Sequence, residues 1–71
     1  MMMASTQYEI VVRSRLSTRL AQLLEGFEVT RYADGETHLV GWTPDQAALQ
    51  GALRKIADFG LELVSLQEVT E

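Results

Sequence analysis

Apolar residues recur along the chain with two alternating periods. Tyr8-Glu9-Ile10-Val11-Val12-Arg13 is rich in β-branched residues and predicts a first strand. Ser17 is a suitable N-cap, and Leu16, Leu20, Leu23, Leu24 and Phe27 follow at helical spacing. A first helix is therefore expected over 17–25, with Gly26 as its left-handed C′ residue. Phe27-Glu28-Val29-Thr30-Arg31-Tyr32 alternates as a second strand. Ala33-Asp34-Gly35 is a turn signal, and Glu36-Thr37-His38-Leu39-Val40-Gly41-Trp42 is the returning third strand. Thr43 then reads as an N-cap, with Pro44 at N1, Asp45 at the positive end of the dipole, and Gln46 at N3 completing a capping box. Leu49, Ala52, Leu53, Ile56 and Ala57 form the apolar stripe of this second helix, and Gly60 supplies its stop. Leu61-Glu62-Leu63-Val64-Ser65-Leu66 is the fourth strand.

The order βαββαβ predicts an α+β, ferredoxin-like two-layer sandwich. Two right-handed crossovers joined by a hairpin give a four-stranded antiparallel sheet, order 4-1-3-2, with both helices on one face. Residues 1–6 are expected to be a disordered tail, and 7–71 a single domain. The hairpin leaves two registers open. A two-residue Asp34-Gly35 turn pairs Thr30 with Leu39 and Val29 with Val40. A three-residue loop with Gly35 as a bulge pairs Val29 with Leu39, Phe27 with Gly41 and Thr30 with His38. The second is preferred, because it puts Phe27, Val29 and Leu39 under the helices beside Ile10, Val12, Leu61 and Leu63.

Composition narrows the function classes. The 71-residue chain is 46% hydrophobic and 23% charged, which is too apolar for a disordered segment. A chain of this size buries only about 60% of its unfolded surface, so association would add stability. With no cysteine, disulfides and thiolate metal sites are excluded, and a reducing, cytoplasmic location is expected. The opening residues lack the features of a signal peptide, and no apolar run approaches the ~18 residues of a membrane span, so no membrane partner is expected. The net charge of −4 divides unevenly, +2 over residues 1–24 and −6 over 25–71. An acidic balance argues against a nucleic-acid partner, and the arginines Arg13, Arg15 and Arg19 read as solvated surface.

Candidate chemistry is sparse. His38 is the sole histidine, so no two-histidine metal site exists. Glu36 and His38, two apart on one strand face, are a conceivable carboxylate–imidazole pair, but no third member is placed beside them. No catalytic, cofactor or metal residue is assigned. Gly51, inside the second helix, suggests close packing on a neighbour. The more informative feature is the helix-free sheet face. In the preferred register it gathers Val11, Tyr32, His38, Val40, Trp42, Val64 and Leu66, among the polar residues Glu9, Arg13, Glu28, Thr30 and Glu62. So many apolar side chains on a strand face that no helix covers point to an interface.

Several families resemble this pattern. RNA-recognition motifs are similar in topology, but the third strand here lacks their basic-Gly-aromatic signature. ACT-type amino-acid-sensing domains are similar in size and order, which implies a ligand at a dimer interface, though Arg13-Ser14-Arg15-Leu16-Ser17 departs from their Pro-Gly-type turn. Dimeric ferredoxin-like oxygenases and isomerases are similar in fold but longer. The chain most resembles a set of small uncharacterised bacterial proteins, through Tyr8-Glu9-Ile10, Asp34-Gly35, Asp45-Gln46-Ala47-Ala48-Leu49-Gln50-Gly51 and Gly60-Leu61-Glu62-Leu63; that likeness implies no activity. The expectation is a non-enzymatic interaction or regulatory module without a cofactor, forming a homodimer or binding a protein partner. The alternatives are an ACT-like sensor of a small metabolite and a small enzyme using an interface Glu/His pair.

Overall fold

The computed structural model describes residues 5–69. Its elements run β1 (Thr6–Val12), α1 (Thr18–Gln22), β2 (Phe27–Ala33), β3 (Glu36–Thr43), α2 (Gln46–Asp58) and β4 (Leu63–Glu68). The strands form one antiparallel sheet, ordered β2-β3-β1-β4, which is the expected order read from the other edge. Both helices lie on one side, α1 against β2 and α2 against β3, in the ferredoxin-like arrangement. Among the described residues no helix is long and apolar enough to cross a membrane. The first strand begins at Thr6, the last residue of the expected tail; residues 1–4 of that tail and 70–71 lie outside the described residues.

The core collects the inward positions of each element: Ile10 and Val12 from β1, Leu39 from β3, Ala21 from α1, Ala52 and Ile56 from α2, with Leu16, Leu24 and Phe27. Alternation explains the strands, because every second side chain faces the helices. On β3 that set is Thr37, Leu39, Gly41 and Thr43, all buried. Gly41 sits there because nothing larger fits. A Cβ at this position would collide with the Gly26 carbonyl oxygen and stand only 2.7 Å from the Phe27 ring. The close approach is therefore that of the turn entering β2 and of the paired Phe27.

The hairpin combines the two registers. At its tip Ala33 pairs with Glu36, Tyr32 with Thr37 and Arg31 with His38, so the loop has two residues. Asp34 (φ 53°) and Gly35 (φ 76°) both take positive φ, as the twist of a two-residue type I′ loop demands. Beyond the tip the register shifts by one residue, and Val29 pairs with Leu39, Glu28 with Val40 and Phe27 with Gly41. Thr30 is the extra residue, and its hydroxyl donates to the His38 carbonyl at 3.2 Å. The expected inward set of Phe27, Val29 and Leu39 is present, but the three-residue loop and the Thr30–His38 pairing are replaced by a tight turn and a β-bulge.

Helix boundaries depart from the pattern where tertiary contacts take over a capping group. Ser17 caps α1 as expected, its hydroxyl accepting from the Leu20 N–H at 3.2 Å. The helix nonetheless ends at Gln22, because Leu23 and Leu24 bond three residues back, to the carbonyls of Leu20 and Ala21. Leu23 consequently swings outward to 47% exposure. Its freed carbonyl accepts from Lys55 Nζ of α2 at 3.0 Å, an end cap supplied by the neighbouring helix.

At α2 the N-cap is Asp45, not Thr43. Asp45 is extended (φ −158°, ψ 176°) and its carboxylate accepts from the Ala48 N–H at 2.8 Å. Thr43 stays in the sheet instead, paired with Thr6 and donating its hydroxyl to the Thr6 carbonyl at 3.4 Å. The far end of α2 is as expected. Gly60 has φ +73°, its N–H bonds the Ala57 carbonyl, and the Leu61 N–H bonds the Ile56 carbonyl, completing a Schellman stop. That use of Leu61 delays β4 to Leu63. Gly51, by contrast, packs on nothing: an added Cβ would meet no atom within 4 Å.

Two outcomes are expected from these geometries. Gly41→Ala forces the Gly26 turn and the Phe27 ring apart, and should lower the stability read by urea denaturation by about 3 kcal/mol. Asp45→Ala should cost about 1 kcal/mol in the same measurement, with Asp45→Asn close to wild type because an amide oxygen still caps.

Candidate functional site

Register decides which side chains share the helix-free face. Directly paired residues project on the same side, so the pairs Gln7–Trp42, Glu9–Val40 and Val11–His38 define this face on β1 and β3. From β4 it takes Gln67, opposite Glu9, and Ser65, opposite Val11. From β2 it takes Glu28, opposite Val40, and Arg31, opposite His38. Val69 donates its N–H to the Gln7 carbonyl at 2.8 Å and continues the alternation on the same side.

Of the seven residues expected there, Val11, His38, Val40 and Trp42 lie on this face. Tyr32 does not. It pairs with the buried Thr37, and its hydroxyl donates to the Leu16 carbonyl at 2.9 Å on the helix side, with the Arg15 guanidinium 5.1 Å above its ring. The one-residue shift at Thr30 explains the reversal, since it sends Tyr32 to the opposite side from the one a continuous register gives. Leu66 also belongs to the helix side, where it pairs with Ile10 and packs on the core. Val64 is the unpaired residue of a second bulge, between Leu63 and Ser65 on β4. Leu63, expected inside, is exposed at that outer strand.

The remaining surface is mixed. Trp42 is 57% exposed, the most exposed large apolar side chain among the described residues. Val11 is 5% exposed although no helix covers it; it stands in the middle of the sheet, between His38 on β3 and Ser65 on β4. A groove of about 530 Å³ runs beside Trp42, between Gln7, Gly26, Glu28 and Val40.

Charged groups surround this apolar strip. Arg13 Nη1 contacts Glu62 Oε2 at 3.0 Å, and its Nε lies 3.9 Å from Glu36 Oε2. His38 Nδ1 is 3.6 Å from Glu9 Oε2, beyond hydrogen-bond length, and this buried nitrogen has no hydrogen-bond partner among the described residues. The expected Glu36–His38 pair is thus split: Glu36 faces Arg13, and the carboxylate beside the imidazole comes from the next strand. Gln7, Arg31, Ser65, Gln67 and Val69 were missing from the expected face. Gln7 and Val69 fall one residue or more outside the strands that periodicity delimits, and Arg31 joins only through the Thr30 bulge.

One polar residue with a structural task also escaped the pattern. Thr37 is fully buried; its hydroxyl donates to the Ser14 carbonyl at 2.6 Å and accepts from the Leu16 N–H at 3.0 Å. It ties the β1–α1 loop to β3, and with Tyr32 it holds the loop from two strands.

Geometry defines the class: a small ferredoxin-like α+β domain with one helix-covered and one open sheet face. The chain belongs to an uncharacterised family, described as a domain of unknown function (DUF8691), whose model matches residues 7–67. No curated protein and no solved structure matches it.

Replacing Thr37 by valine keeps the shape but strands the Leu16 N–H and the Ser14 carbonyl. The expected loss is about 2 kcal/mol in chemical denaturation, larger than for Thr30→Val on the exposed bulge.

Proposed function

We propose that the protein is a non-enzymatic interaction module that associates with a second copy of itself through the helix-free sheet face. The observation that carries this reading is Trp42, more than half exposed beside Val40 and Val69 on the open face. A tryptophan so placed contributes little to a monomer and much to a complex. The sheet edges are poorer candidates. The outer strands β2 and β4 each carry a bulge, at Thr30 and Val64, and such bulges twist an edge away from continued pairing. The small core supplies the thermodynamic motive, because association stabilises a domain that alone has little to spare. A chain without cysteine is suited to the cytoplasm, where such a module would act.

A second reading rests on the groove beside Trp42, whose volume suits a small metabolite, in the manner of ACT-like sensing domains. Self-association is favoured because the groove is half open to solvent and Trp42 at its side is itself exposed.

Light scattering of the wild type at micromolar concentration should give the mass of a dimer, with tryptophan emission shielded from iodide. Trp42→Ala should weaken dimerisation by about 2 kcal/mol while leaving the circular dichroism unchanged. A wild-type monomer with fully quenchable Trp42 would overturn the reading. Stabilisation by an amino acid in a thermal-shift screen, without a change of mass, would favour the sensor.

A further inference from the structure

The charge pattern of the open face is self-complementary, and it selects one way for two copies to meet. Cross-strand pairing arranges the face in rows. One row runs Glu28, Val40, Glu9 and Gln67 across β2, β3, β1 and β4. The next runs Arg31, His38, Val11 and Ser65 in the same order. The first row is acidic at β2 and β1; the second carries a guanidinium at β2 and the imidazole at β3. Among the described residues, Glu28 and Arg31 are exposed and neither takes part in an ion pair.

From this we infer that the dimer is face to face about a two-fold axis that lies in the interface, perpendicular to the strands, between these two rows. The inference rests on the self-association proposed above and names its geometry. Such an axis keeps each strand over its own copy and reverses the rows. Glu28 then comes over the partner's Arg31, and Arg31 over the partner's Glu28, so the two-fold forms the same ion pair twice. Val40 comes over the partner's His38, and Trp42 lies over the row of the partner's Glu36 and the partner's Arg13, whose guanidinium offers a flat cation to the indole.

A two-fold that runs along the strands fits worse. About either axis the Glu9 carboxylate and the His38 imidazole face a valine of the second copy, but this one sets Glu28 against the partner's Gln67 and Arg31 against the partner's Ser65, leaving both charges unpaired. Facing sheets pack about 10 Å apart, a gap that a glutamate and an arginine bridge by extending toward each other. Because these charges sit at the β2 rim, they set orientation more than total affinity.

The test is a charge-swap experiment, read by analytical ultracentrifugation and native mass spectrometry at low ionic strength. Glu28→Arg alone brings two guanidinium groups together at each pair, and Arg31→Glu alone brings two carboxylates together; each should raise the dimer dissociation constant by about tenfold. An equimolar mixture of the two variants should recover wild-type affinity as a mixed dimer, because both of its pairs are again opposite in sign. The double variant Glu28→Arg/Arg31→Glu should recover it as a homodimer, and serves if either single variant folds poorly. Single variants that dimerise like wild type, or a mixture that does not recover, would overturn the axis while leaving self-association standing. A monomeric wild type would overturn both.

Discussion

The structure turns on a conflict of phase within the β2–β3 hairpin. A two-residue turn with Asp34 and Gly35 at positive φ pairs residues in one register, and burial of Phe27, Val29 and Leu39 on one face requires the other. Because side chains alternate with a period of two, a one-residue mismatch carried along the strand would turn every apolar side chain of β2 to the wrong side. The extra residue at Thr30 absorbs the mismatch. The tip of β2 therefore presents Tyr32 to the helix side and Arg31 to the open side, while its body keeps the core positions. The β1–α1 loop, held by Tyr32 and Thr37, and the charge pattern of the open face both follow from that single insertion.

The rest of the packing depends on small residues and shared polar groups. Gly41 lets the Gly26 turn and the Phe27 ring close over β3, where a methyl group has no room. Thr37 satisfies one donor and one acceptor of a buried loop through a single hydroxyl. Lys55 reaches from α2 to the last turn of the short α1, joining two helices that share little direct contact. In a domain with so few buried side chains, each such group carries a larger share of the stability than it would in a larger protein.

The open face is buried unevenly along its length. Its centre is sealed within the monomer, with Val11 already buried, so association is not needed to bury it. Its end is left open, with Trp42 projecting beside a groove. Around that apolar strip Glu28 and Glu9 share one row, and Arg31 and His38 share the next. Membership of an uncharacterised domain family assigns no activity, so the chemistry of this face is what a functional reading has to rest on.

Local chemistry in the sequence determined the six elements, their order and the stop that ends α2. Ser17 and Gly60 act through groups a few residues away, and apolar periodicity separates strand from helix without knowledge of the partner strand. The inward residues of β1 and β3 were legible for the same reason. Of the seven residues assigned to the open face, the four on β1 and β3 were legible too, because those central strands are paired without interruption. Tyr32, Val64 and Leu66 lie on the outer strands, where a bulge shifts the phase and no local signal in a β-branched run marks which residue is extra. Thr43 lost its cap role in a similar way: its hydroxyl was taken by β1, thirty-seven residues distant, and Asp45 served instead. Interactions closed within a few residues were written in the local pattern, while those that depend on which distant backbone lies alongside were settled only when the sheet assembled.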